Sequence, residues 1–321
     1  MAVYTEVSDE DLKRFLAEYD LGEMLSLKGI AEGVENSNFL LHTTAGSYIL
    51  TLYEKRVNPN DLPYFIGLME HLSEQGFACP LPIHGKDGES LRKLCGRPAA
   101  IISFLEGMSP RRIHPYHCRE LGAALARMHL ASKSFAETRP NTLSVFSWRP
   151  LFEFSKDRAH EVRPGLAEEL DRELTHLEAN WPGSLPQGVI HADLFPDNAF
   201  FLSEKLSGVI DFYFACNDAF AYDLAICLNA WCFEPDTSFN ITKAQMMLKS
   251  YRELRPCTAA EVKALPILAR GSAMRFLLTR LHDWLHHPAG AFVKPHDPME
   301  YWKKLQFHQR IDGPGAYGID L

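Results

Sequence analysis

The sequence lacks the features that would tie it to an oxidising compartment, a polyanion or a membrane. Its seven cysteines (Cys79, Cys95, Cys118, Cys216, Cys227, Cys232 and Cys257) are odd in number and scattered, with no Cys-x-x-Cys pair. That pattern excludes a disulfide framework and predicts reduced, mostly buried thiols in a cytoplasmic protein. Basic charge is in deficit, with 33 Lys and Arg against 41 Asp and Glu, a formal charge of −8. Such a balance argues against a nucleic-acid binder, though it leaves room for a local basic pocket for a nucleoside triphosphate. Long apolar runs are also missing. Ala219 to Phe233 is interrupted by Asp223 and Asn229 and is too short to span a bilayer. The first residues carry Glu6, Asp9, Glu10 and Asp11, the opposite of a basic leader, so neither a targeting segment nor a membrane partner is expected.

What is present is the material of an ordinary globular protein. The 321 residues are 46% apolar, enough for one large domain or two modest ones with real cores. Ser8-Asp9-Glu10-Asp11 reads as a helix start, followed by Leu12, Phe15, Leu16 and Tyr19 at helical spacing. The period then changes. Leu27 to Ile30, Asn38 to Thr43 and Ser47 to Tyr53 read as strands, with a turn around Ala45-Gly46. Asp61 to Glu74 predicts a helix with Leu62, Phe65, Leu68, Met69 and Leu72 on one face, and two strands follow near Leu91 to Leu94 and Ala99 to Phe104. Beyond Gly107 the character becomes helical: Tyr116 to Leu130, a charged stretch over residues 151–180, then Ala219 to Phe233, Thr242 to Glu253 and Ala259 to His286. Cys227 and Cys232 fall in one of these helices. Three short apolar runs, Gly188 to Ile190, Ala199 to Leu202 and Gly208 to Ile210, interrupt the helical part. Strands first and helices later predict an α+β fold of two lobes rather than a doubly wound sheet.

Two segments carry chemistry. His191-Ala192-Asp193-Leu194-Phe195-Pro196-Asp197-Asn198 has an Asp followed five positions later by an Asn, the spacing of a kinase catalytic loop. A carboxylate at Asp193 can orient an acceptor hydroxyl and take its proton, and the Asn198 side-chain oxygen is a neutral metal ligand. Asp211, closing the apolar run Val209-Ile210, stands where a second metal ligand belongs, so Asn198 and Asp211 are the expected Mg²⁺ pair. Asp197 reads as a turn residue. Upstream, Gly29 to Asn38 joins two strands through Gly33, Val34, Asn36, Ser37 and Asn38, and such a hairpin can lay backbone N–H groups over phosphates. It lacks the Gly-Lys-Ser/Thr of a Walker loop. His282 and His286, four apart, resemble a helical zinc pair, but the neighbouring acid is Asp and Pro288 follows closely, so a helix end with cationic imidazoles is the better reading.

Taken together, these motifs resemble those of the aminoglycoside phosphotransferase and choline kinase superfamily. His-x-Asp-x-x-x-x-Asn maps onto His191, Asp193 and Asn198, the metal-binding Asp onto Asp211, and Asp-Leu-Ala onto Asp223-Leu224-Ala225. The resemblance implies a bilobal protein-kinase-like fold, ATP and Mg²⁺ as cofactors, and a small alcohol as acceptor. It also implies that Asp223 braces the catalytic loop. Glu32 to Phe39, Tyr48 to Glu54, His191 to Asn198 and Arg275 to Leu281 are similar to bacterial homoserine kinases of this type. That resemblance implies phosphorylation of L-homoserine on the way to threonine. Kinases for choline, ethanolamine, a sugar or an aminoglycoside stay open as alternatives, as does a nucleotide-binding pseudokinase.

The resemblance divides the chain into a nucleotide-binding lobe over residues 1–105 and a catalytic and acceptor-binding lobe over 106–321, with Ser103, Phe104 and Leu105 in a hinge at 103–107 that would bind adenine. One departure matters. The strand position of the phosphate-binding Lys is Thr51, so Glu70, the cofactor-binding residue expected to partner that Lys, faces no Lys there, and Lys55 or Arg56 is a candidate substitute. For an acceptor carboxylate the residues suggest Arg275 as a bidentate clamp, with Arg280 five positions on and Tyr213 and Trp231 as candidate pocket walls. Nothing in the residues specifies an oligomeric state.

Overall fold

A computed structural model describes residues 5–30, 36–54, 58–287 and 295–319. Gly33, Val34, Lys55, Arg56 and Pro288 lie outside the described residues. The chain divides into two compact units, one of residues 1–107 with 135–137 and 207–213, the other of 108–134, 138–206 and 214–321.

The first unit begins with α1 (Asp9–Leu16), whose Ser8 cap accepts from the Asp11 N–H. β1 (Met24–Gly29), β2 (Ser37–Thr43) and β3 (Gly46–Leu52) follow, then α2 (Leu62–Glu74), β4 (Leu91–Leu94) and β5 (Arg97–Ser103). The strands form one antiparallel sheet in the order β1-β2-β3-β5-β4. β2 alternates buried and half-buried side chains along its length, as a strand with one core face should. Leu12, Phe15 and Leu16 of α1 join Phe39, Leu41, Leu50, Leu52, Leu94 and Ile101 in one apolar cluster. The segment through Asp211 belongs to this unit because Val209 donates to the Ala78 carbonyl at 3.0 Å. Gly208 permits that approach, since a Cβ there would meet Leu105 Cδ2 at 2.6 Å.

The second unit contains α3 (Pro115–Ala131), α4 (Val145–Glu153), α5 (Leu166–Asn180), β6 (Gln187–Ile190) and β7 (Ala199–Leu202). After β8 (Lys205–Val209) come β9 (Cys216–Ala219), α6 (Phe220–Trp231), α7 (Ile241–Leu254), α8 (Ala259–Leu285) and α9 (Pro298–Arg310). β6 pairs antiparallel with β9, and β7 with β8. No described helix is long and apolar enough to cross a membrane.

Two expectations need correction, and two elements come in addition to those expected. Residues 151–180 are not one helix: α4 ends at Glu153, a 3-10 stretch covers Lys156–Glu161, and Gly165, at φ 76°, resets the chain before α5. Cys232 lies just past the end of α6 rather than inside it. Neither β9 nor α9 was expected. Cys-Asn-Asp-Ala has no strand pattern and owes its conformation to pairing with β6. α9 did leave a signal: Asp297 caps the Met299 N–H and Pro298 occupies the first turn.

Helices α3 and α7 pack so closely at Gly122 that a Cβ would meet the Met247 carbonyl oxygen at 2.2 Å. Gly122→Ala should therefore cost about 1–3 kcal/mol of stability by overpacking, read from denaturant midpoints; an unchanged midpoint would show that this contact yields freely.

Candidate active site

The loop after β6 is held by its neighbours in the second unit. Ala192 has φ 63°, a left-handed backbone that costs an alanine roughly 1–2 kcal/mol. Both of its peptide groups are fixed by charged side chains. Its N–H donates to Asp223 Oδ1 at 2.9 Å, and its carbonyl accepts from Arg275 Nη1. Asp223 Oδ2 also accepts from the His191 N–H at 2.8 Å. Charge-assisted bonds of this kind are the strong ones and offset the backbone strain. The bracing role that the resemblance implied for Asp223 is thus visible in its hydrogen bonds.

Behind Asp223 lies a residue that sequence reasoning missed. His129 Nε2 lies 3.0 Å from Asp223 Oδ2, and its Nδ1 lies 2.7 Å from the Tyr251 hydroxyl. Asp223 and His129 have no exposed surface. Burial pushes the His129 pKa down; burial also pushes the Asp223 carboxyl up, but the hydrogen bonds and charges of His129 and His191 together hold it below its usual value. A neutral His129 therefore donates through Nε2 to an ionised Asp223 and accepts from Tyr251 at Nδ1. The signal in the sequence was slight, a lone His on an apolar helix.

A similar buried imidazole is His308, which lies 2.9 Å from Asn229 Oδ1 and 2.8 Å from the Tyr317 hydroxyl. Burial, then the Lys304 charge, pushes it down to about 3. The folded values of both histidines lie below the unfolded one near 6.5. The unfolded chain therefore takes up protons that the folded chain refuses, and stability falls as pH drops below about 6.5, by up to roughly 1.4 kcal/mol per pH unit for each histidine. Urea midpoints at pH 7.5, 6.0 and 5.0 should fall in that order, and His308→Gln should flatten the slope; a level profile would contradict the assignment.

Asp193 is half-buried and follows this fixed backbone directly. Its N–H donates to His191 Nδ1 at 3.3 Å, and its carbonyl accepts from the Phe195 N–H at 2.9 Å and from Asn198 Nδ2 at 2.8 Å. Asn198 thereby turns its amide nitrogen to the loop, and no described residue donates to its Oδ1. Trp231 has no exposed surface, and its Nε1 donates to the Leu194 carbonyl at 2.8 Å. Arg275 is equally buried, its guanidinium 4.5 Å from the Phe276 ring centroid.

In the first unit, Asp211 is exposed and also left-handed, at φ 65°. Tyr213, two residues on, sets its hydroxyl 3.1 Å from that of Tyr53, whose pKa burial pushes up to about 12. Thr51 donates to Asn38 Oδ1 at 2.9 Å, so the position of the usual Lys is a neutral, hydrogen-bonded site. Glu70 pairs instead with His84 Nε2 at 2.9 Å. Ser37 donates to the buried Glu54 at 2.8 Å, and Asn36 Oδ1 accepts from the Glu54 N–H. Ser103 exchanges two bonds with Leu81, its N–H donating to the carbonyl and its hydroxyl accepting from the N–H. Phe104 is exposed beside it. Asn198 and Asp211 each carry a side-chain oxygen, a hard donor of the kind that Mg²⁺ takes. His282 and His286 stack at 4.6 Å, and His286 Nδ1 donates to the His282 carbonyl.

Known proteins resemble this chain over most of its length. The phosphotransferase enzyme family model matches residues 26–257. A protein of Paramagnetospirillum magneticum named homoserine kinase is 64% identical, with 100% of both chains covered. An amicoumacin kinase solved with AMP-PNP and Ca²⁺ shares the fold at TM-score 0.71 and 16% identity, over 96% of this chain and 95% of its own. A choline kinase of Cryptosporidium parvum does so at TM-score 0.69 and 13% identity, over 94% and 95%. These are protein-kinase-like α+β folds with a β-sheet N-lobe and a helical C-lobe, as the order of elements predicted. The chain belongs to the phosphotransferase enzyme family.

Proposed function

We propose that the chain is a homoserine kinase, transferring the γ-phosphoryl group of ATP to the side-chain hydroxyl of L-homoserine to give O-phospho-L-homoserine for threonine synthesis. The observation that carries this reading is the full-length identity of 64% to a protein of that name. The fixed Asp193 loop supports the chemistry.

On this reading Asp193 orients the acceptor hydroxyl and takes its proton as the oxygen bonds to phosphorus and ADP leaves in line. The loop costs no reorganisation at that moment, because Asp223 and Arg275 hold the peptide before it. His191 holds the loop's own backbone. Asn198 and Asp211 are proposed to hold Mg²⁺, which neutralises phosphate charge. Gly33, Val34, Asn36, Ser37 and Asn38 are proposed around the phosphates, Thr51 beside them and Glu70 behind. Ser103, Phe104 and Leu105 are proposed at the adenine. Tyr213 remains a proposed wall of the acceptor pocket, whereas Trp231, expected there from the sequence, has no exposed surface and instead holds the Leu194 carbonyl from the core. A cytoplasmic setting suits cysteines that are all unpaired. Product analysis by ³¹P NMR tests the reading: a new phosphate monoester on homoserine is expected. Formation of ADP and inorganic phosphate alone would refute it.

A further inference from the structure

The helical unit carries a charged cluster that none of these roles uses. Arg280 on α8 donates from Nη1 to Glu300 Oε2 on α9 at 2.7 Å, and Lys304 Nζ pairs with Glu300 Oε1 at 2.7 Å. The two cations are largely buried, with side chains 13% and 6% exposed, whereas Glu300 keeps 42%. Two buried cations thus share one carboxylate that still faces solvent. Nη1 is the guanidinium nitrogen that Glu300 uses. Arg280 Nε and Nη2 donate to no described residue, so one edge of the fork stays available.

Beneath the pair lies Tyr301, with the Arg280 guanidinium 4.5 Å and the Lys304 ammonium 4.4 Å from its ring centroid. Tyr301 has no exposed surface, and its hydroxyl has no hydrogen-bond partner among the described residues. A buried hydroxyl normally finds a partner, so this one has hydrogen-bonding capacity left over. The cluster also connects to the catalytic loop. The Tyr301 ring packs on Phe276 at 5.3 Å, and Phe276 packs edge-on against Phe195 of the loop at 4.9 Å. Burial raises the Tyr301 pKa, and Asp193 is among the charges that act on it.

We infer that Arg280 and Glu300 form the amino-acid subsite of the acceptor, Arg280 taking its α-carboxylate and Glu300 its α-ammonium, with the Tyr301 hydroxyl completing the cradle. The inference rests on the homoserine reading and concerns the part of homoserine that other small alcohols lack. A zwitterion matches the cluster: its carboxylate balances the excess cation, and its ammonium meets the carboxylate that remains exposed. Lys304, also bonded to the Asn229 carbonyl at 2.9 Å, holds Glu300 in place. The carboxylate thereby moves from Arg275, engaged with Ala192, to Arg280 five residues later.

The test compares homoserine with 3-aminopropan-1-ol, the same molecule without its carboxylate, on the full chain. Arg280→Met should raise the homoserine KM about 100-fold, leave kcat within about threefold, and collapse the preference for homoserine over the aminoalcohol. Equal losses on both substrates, or an unchanged homoserine KM, would overturn the inference. Should that variant fail to fold, Arg280→Lys keeps the charge without the fork and should still raise the homoserine KM at least about tenfold. Tyr301→Phe, which removes an unpartnered hydroxyl, should fold normally and raise the homoserine KM about fivefold; no change there removes Tyr301 from the cradle and overturns that part. Wild-type protein that leaves homoserine unphosphorylated sinks the functional reading itself. Wild-type turnover with an indifferent Arg280→Met sinks the subsite alone.

Discussion

Asp193→Asn should lower kcat for homoserine phosphorylation by about 10³-fold while the ATP KM stays within about threefold. The reason is geometric. Asn keeps the size of the side chain, and the Asp193 N–H and carbonyl that it leaves in place are hydrogen-bonded to His191, Phe195 and Asn198. What it loses is the capacity to take a proton. Thermal unfolding should therefore be close to that of the parent. Steady-state kinetics beside a melting curve separate the two effects. A variant with near-normal kcat would remove Asp193 from its role, and a variant that unfolds early would leave the kinetic loss attributable to structure.

Asp223→Ala should act in the opposite way, on structure first. It removes the acceptor of the His191 and Ala192 N–H groups and leaves His129 Nε2 facing nothing, all in a region without solvent. Breaking a buried charged network of this kind costs about 3–5 kcal/mol, so the melting temperature should fall by about 10 °C. The left-handed Ala192 then loses one of its two restraints, and kcat should fall as well, by about 10²-fold. A variant that melts normally would show that the loop does not depend on this carboxylate.

The two lobes were legible in the sequence for physical reasons. Strand alternation around Ser37–Thr43 and the apolar stripe of Leu62, Phe65, Leu68, Met69 and Leu72 are period signals strong enough to survive without context. Asp193, Asn198 and Asp211 stood out because their spacing is one that phosphoryl-transfer chemistry uses. What escaped depended on partners far along the chain. β9 exists only by pairing with β6, and His129 is recognisable only once α3 is laid against Asp223 of α6. The amphipathic pattern of α9 is diluted by charge, although Asp297-Pro298 announced its start. Arg275 and Arg280 could not be separated by spacing alone. Their roles diverge because one guanidinium finds the Ala192 carbonyl and the other finds Glu300.

The central claim is that this chain phosphorylates homoserine, and a competition assay tests it most directly. Purified protein with ATP and Mg²⁺ is offered L-homoserine, choline, ethanolamine and an aminoglycoside at equal concentration, and the phosphorylated products are resolved by mass spectrometry. O-phospho-L-homoserine is expected as the dominant product, forming about 10³-fold more slowly when Asp193→Asn replaces the parent. Phosphorylation of another alcohol in preference to homoserine would contradict it.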